Sequence, residues 1–267
     1  MKTRAVLCFL TFSLAACKFG NAPATQKGDV FKDTLAYSYQ KITERGADCG
    51  DKADSLCSSV KLTFPVFKGQ RALNDSIARK LTGMFVMQGK PDSSIQEMTR
   101  NFLKSYTSFK KSNPKSQMFY TLNSYAKIID QDSALVALEY GGYTFQGGAH
   151  GSSFTGFLNW NPKANKQITI DEILIDGYKA QLNKAAERIF RKDEKLKDTS
   201  SLARDYFFKD NKFALNENYL LTPIGIRFVY NQYEIKPYAA GQTEIIIPYA
   251  DIKTLIRPNA VIAQYVK

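Results

Sequence analysis

The residues with the most evident chemical potential lie in Gln146-Gly147-Gly148-Ala149-His150-Gly151, which carries the only histidine in the chain. Gly147 and Gly148 permit positive φ and close backbone approach, so successive amides there could form an anion-binding nest beside the imidazole. With a carboxylate such as Glu139 or Glu234 as partner, His150 would be the acid or base of a glycan hydrolase. The plainer reading is a bend between strands, with the imidazole hydrogen-bonded to neighbouring backbone. No activated serine accompanies it, because Gly151-Ser152-Ser153-Phe154-Thr155 lacks the final glycine of a nucleophile elbow. Further along, Tyr233, Tyr238 and Tyr249 surround Glu234, Lys236 and Pro237 in an expected hairpin loop. Loop tyrosines either stack on sugar rings and anchor protein partners or simply pack the loop onto a sheet. Arg100, Lys104 and Lys111 fall on one side of an expected helix, opposite its apolar stripe. They present either a solvated face or a contact for anionic envelope polymers and lipid head groups.

Composition narrows the chemistry. One histidine and four cysteines in 267 residues rule out a three-histidine zinc centre or a helix carrying two histidine ligands, and neither metal nor cofactor is expected. The formal charge is +12, with ten basic and three acidic residues between Lys68 and Lys115. An apolar content of 44% with ordinary glycine and proline usage describes a globular chain with a sizeable core.

The elements that position these residues start after an address. Met1 to Arg4 is basic, Ala5 to Phe12 apolar and too short to span a bilayer, and Leu14-Ala15-Ala16-Cys17 has the form of a bacterial lipobox. The expectation is a signal peptide over 1–16, lipidation of Cys17 and a flexible tether over 17–30. Losing Lys2 and Arg4 with the leader takes the charge from +12 to +10. A lysine rather than an aspartate after Cys17 points to an outer membrane, with the protein facing periplasm or exterior. Nucleic acid is not an expected partner of an exported protein. Cys8 leaves with the leader and Cys17 carries lipid, which leaves Cys49 and Cys57 to pair in an oxidising compartment.

Alternation predicts strands around Leu35–Tyr39, Val60–Val66, Phe119–Ile129, Ala134–Phe145, Ser153–Trp160, Ile226–Tyr230 and Ile245–Ile247. Helical spacing runs through Leu73, Ile77, Leu81 and Phe85, and through Ile95, Met98, Phe102, Tyr106 and Phe109. Thr169-Ile170-Asp171-Glu172 fits a capping box, with a longer helix over about 177–195 and a short one at 249–256. Strands and helices in blocks argue an α+β fold with mainly antiparallel sheet.

Two segments go beyond pattern. Glu139–Gly151 reads E-Y-G-G-Y-T-F-Q-G-G-A-H-G, and Val229–Gly241 reads V-Y-N-Q-Y-E-I-K-P-Y-A-A-G, followed by I-I-I-P-Y-A-D-I-K. Over about residues 31–257 the chain resembles an extracytoplasmic family. Its members include the ectodomain of the lysozyme-sensing anti-sigma factor RsiV and the non-catalytic accessory region of the peptidoglycan deacetylase PdaC. The resemblance implies two strand-and-helix modules, 31–155 and 156–267, packed as one compact unit with the Gly-Gly-Ala-His segment near their junction. It also raises lysozyme as a partner, although two basic proteins repel at long range. Sigma-binding, membrane-spanning and deacetylase segments are not expected here. The reading is a lipid-anchored, non-catalytic module binding cell-wall glycan, an anionic envelope polymer or a lysozyme-like protein, with cell-wall glycan or an envelope protein as partner and glycan hydrolysis through His150 as the alternative.

Overall fold

The computed structural model describes residues 35–86 and 89–266, and the expected leader, Cys17 and tether lie outside the described residues. Six strands form one sheet in chain order: β1 Tyr37–Arg45, β2 Ser59–Phe67, β3 Thr121–Gln131, β4 Val136–Phe145, β5 Ser152–Asn161 and β6 Lys166–Gln167. Only β2 and β3 run parallel, because the chain crosses between them through helices α1 (Arg71–Gly83) and α2 (Ile95–Ser112). After the short α3 (Ile170–Ile173) and α4 (Lys179–Asp193), a second antiparallel sheet is built from β7 Tyr219–Thr222, β8 Gly225–Tyr230 and β9 Thr243–Pro248. The fold is α+β, as expected.

The period of two decides which face of the large sheet meets what. Leu62, Leu122, Leu138 and Leu158 point to one side, where Leu73, Ile77 and Phe102 of α1 and α2 cover them. Ala137 and Phe157 point to the other side and join Leu220, Leu221 and Ile226 of the small sheet. That cover reaches only β4 and β5, so Thr43, Lys61 and Asn123 on the same face of β1, β2 and β3 stay exposed. On the far side of the small sheet α4 packs against β9, and its Phe190, fully buried, meets Tyr206, Phe208 and Phe213 with ring centroids 5.1–5.6 Å apart. Among the described residues no helix is long and apolar enough to cross a membrane.

Cys49 and Cys57 are joined, and both are buried where the loop leaves β1 and enters β2. Asp48 in that loop accepts the Tyr106 hydroxyl at 2.6 Å, which ties the loop to α2. A nine-residue loop corresponds to about 2.5 kcal/mol of lost unfolded-state entropy. Replacing both cysteines by serine should lower the unfolding free energy by about that amount in denaturant titration. Reductant should then leave the variant's midpoint unchanged while lowering that of the parent.

Two expectations need correction. Leu35–Tyr39 is not a half-buried strand: β1 is an edge strand with Tyr37 and Tyr39 37% and 45% exposed, and Ile42 is its residue against the core. Phe85 lies beyond the end of α1.

Candidate functional site

The loop between β4 and β5 turns through Gly147 and Gly148 at φ 102° and 92°, a region that L side chains rarely adopt. It delivers His150 to the surface opposite the loop between β8 and β9. The imidazole stacks on Tyr238 with centroids 3.9 Å apart and planes 18° from parallel. Its Nδ1 lies 3.0 Å from the Gly151 carbonyl and its Nε2 3.1 Å from the Tyr233 hydroxyl. A carbonyl only accepts, so in the neutral ring Nδ1 carries the proton and Nε2 accepts from Tyr233. That lone pair, the one a general base would use, is occupied. Tyr233 sits 5.6 Å from Tyr238, is 57% exposed and holds φ +66°, an uncommon value for a tyrosine that its contacts must sustain. Among the described residues no carboxylate forms an ion pair with His150.

Side-chain amides hold the two loops together. Asn231 Nδ2 donates to the Thr155 carbonyl at 3.0 Å while its Oδ1 accepts the Thr155 amide at 2.8 Å. Gln232 Oε1 accepts from Ser153 at 3.4 Å, and Gln242 donates to Asn231 at 2.8 Å. Deeper in, Asn159 Nδ2 donates to the Tyr219 carbonyl and its Oδ1 accepts the Leu221 amide, at 2.9 and 2.8 Å. One asparagine thereby does what a paired strand residue does, linking β5 to β7. Residues 231–233 run alongside 150–155, so the two sequence segments that carried the resemblance are the two edges of one seam.

The other candidates divide. Glu234 turns into its own loop, accepting from the Asn231 amide at 2.8 Å and Asn216 Nδ2 at 2.7 Å, and so braces the turn behind Tyr233. Tyr249 is buried and donates to the Thr222 carbonyl, so it is a core residue. Arg100 and Lys104 stand exposed on α2 as the helical spacing predicts. Glu97 on the same helix is held below the usual carboxylate range by Ser93, with Arg100 adding a smaller electrostatic pull.

Glu139 occupies a different place from the one a catalytic partner would need. Its side chain, 7% exposed, lies between the sheets and accepts from Tyr125 at 2.8 Å, Lys127 at 2.8 Å and Arg227 at 3.1 Å. Arg227 also binds Glu244 and covers the Phe157 ring at 5.2 Å. Burial alone would raise the Glu139 pKa, but these donors and cations outweigh it and hold the carboxyl below the ordinary glutamate range. Burial, reinforced by the Glu139 hydrogen bond, pushes the Tyr125 phenol up to about 12. The cluster joins the two sheets.

Residues 51–153 match the family model described as Deacetylase PdaC, and residues 171–250 match DUF3298, a protein of unknown function. The chain is similar to these two families in series. His150 falls in the PdaC-like segment and Tyr233 and Tyr238 in the DUF3298-like segment, so the stacked rings are made by both. The likeness is to an extracytoplasmic type of accessory module. No curated protein matches the chain. A DUF3298 family protein from Pseudomonas aeruginosa PAO1 has the same fold at a TM-score of 0.69 and 23% identity, over 85% of this chain and 97% of that one. A DUF3298 family member from Bacteroides fragilis NCTC 9343 does so at 0.68 and 24%, over 88% and 98%.

Proposed function

We propose that the chain is a lipid-anchored protein of the cell envelope, held through Cys17 at an outer membrane, whose folded part binds cell-wall glycan and does not cleave it. The observation that carries this reading is the ring platform of His150, Tyr238 and Tyr233. Its imidazole nitrogens are both engaged by the loops themselves, so the histidine is fixed as a flat surface rather than kept free to move a proton. An exposed, preformed aromatic surface with polar edges suits the apolar face of a sugar ring, and stacking of this kind contributes about 0.5–1.5 kcal/mol per contact. The resemblance to a module that accompanies a peptidoglycan deacetylase points to the same class of ligand.

The test is co-sedimentation of the folded domain with isolated peptidoglycan. His150→Ala and Tyr238→Ala should each weaken binding by roughly threefold to tenfold, with thermal unfolding near that of the parent. Turnover of the glycan that vanishes with His150→Ala would replace this reading with the hydrolase.

The exposed Arg100 and Lys104 support a second contact, with an anionic polymer or head groups near the anchor. It is separable, because its affinity should fall steeply between low and physiological salt, whereas platform stacking should not.

A further inference from the structure

We infer that the uncovered half of the large sheet is the floor of a groove that continues the platform, with Tyr143 and Asn123 forming a further subsite for a linear polysaccharide. The inference rests on the glycan reading of the His150 platform. Tyr143 on β4 is 38% exposed and points to the same face as Tyr125 and Lys61. Its ring lies directly over Gly151: a Cβ at that position would come within 2.4 Å of the phenol. The carbonyl of Gly151 in turn holds His150 Nδ1, so the one buried residue supports both the platform and the Tyr143 ring. Tyr143 is paired in register with Ser153, whose amide meets Gln232, which places the floor at the foot of the wall formed by residues 231–233.

Past Tyr143 the surface sinks into an open pocket of about 440 Å³, lined by Tyr143, Gly142, Asn123, Thr63 and Lys61. Among the described residues the Asn123 amide, the Thr63 hydroxyl and the Tyr143 hydroxyl make no hydrogen bond, so donors and acceptors stand ready beside an exposed ring. That combination recognises sugar hydroxyl and N-acetyl groups while the ring takes the apolar face. Lys61 is already matched by Asp54 at 2.7 Å and the exposed Lys41, opposite Thr63 on β1, stands at the border, so the pocket itself is lined mainly by uncharged polar and aromatic groups. The groove is open rather than enclosed, as a polymer that enters and leaves requires.

The experiment is calorimetric titration of the folded domain with chitin oligosaccharides from disaccharide to octasaccharide. The parent should bind longer fragments more tightly. In Tyr143→Ala and Asn123→Ala that gain should fall by roughly fivefold to tenfold while disaccharide affinity stays within about twofold. Tyr233→Ala should weaken every length. Retention of the full length dependence in both floor variants overturns the groove and leaves the platform standing. Failure of the parent to bind any oligosaccharide overturns both. Both floor residues are at the surface, and a thermal melt on each variant separates lost recognition from lost folding.

Discussion

Glu139→Ala is expected to lower the unfolding free energy by about 3 kcal/mol. The carboxylate is almost out of contact with water and is the shared acceptor of Tyr125, Lys127 and Arg227. Its removal leaves Arg227, 26% exposed, facing the inter-sheet space with Glu244 as its remaining partner, and breaking a buried pair on one side costs about 3–5 kcal/mol. The lower end applies because Lys127 is half exposed and is rehydrated readily. The pH dependence has a definite sign. A carboxyl whose folded pKa lies below its unfolded one stabilises fully above the unfolded value and loses that contribution as pH falls through the folded one. The gap between parent and variant should therefore be full at neutral pH and close as pH drops below about 4. Urea titrations at neutral and acid pH measure it, and a gap that widens in acid would mean the carboxyl is not held ionised.

Asn159→Ala should cost about as much, near 3 kcal/mol, by a different route. Asn159 is 3% exposed, and its amide satisfies the Tyr219 carbonyl and the Leu221 amide, both on a strand with no other neighbour on that side. Alanine leaves two buried backbone groups unpaired, at about 1–3 kcal/mol each. Asn159→Asp separates hydrogen bonding from volume: it keeps an acceptor for Leu221 but sets a carboxylate against the Tyr219 carbonyl, so it should recover less than half the loss. Chemical denaturation of the three proteins decides it, and an unchanged midpoint for the alanine variant would mean the seam is held by apolar contacts alone.

Much of the architecture was legible where the physics is local. The stripe through Ile95, Met98, Phe102 and Tyr106 is the buried face of α2, and the long alternation around Asp130-Gln131-Asp132 is the β3–β4 hairpin. β7 gave no such signal. Its Leu220 and Leu221 are adjacent and both fully buried, because the strand is covered on both faces and so loses the period of two. β1 errs in the opposite direction, since Tyr37 and Tyr39 alternate like core residues yet lie on an edge. For the site, composition and spacing picked out His150, Tyr233 and Tyr238 separately. Their meeting across 83 residues depends on the asparagine seam, and no periodicity encodes that. Glu139 and Glu234 were equally eligible as partners of His150 by residue type. Only the packing shows that one bridges the sheets and the other braces a turn.

The central claim is that the His150 platform receives glycan, and the chain's single histidine makes this directly observable. Its imidazole resonances can be followed without ambiguity while peptidoglycan fragments are titrated into the folded domain. The account predicts a saturable shift of those resonances, with Tyr238→Ala needing roughly threefold to tenfold more fragment to reach it, and no hydrolysis products. Imidazole signals that stay in place while fragments bind, or products that accumulate only when His150 is present, would contradict it.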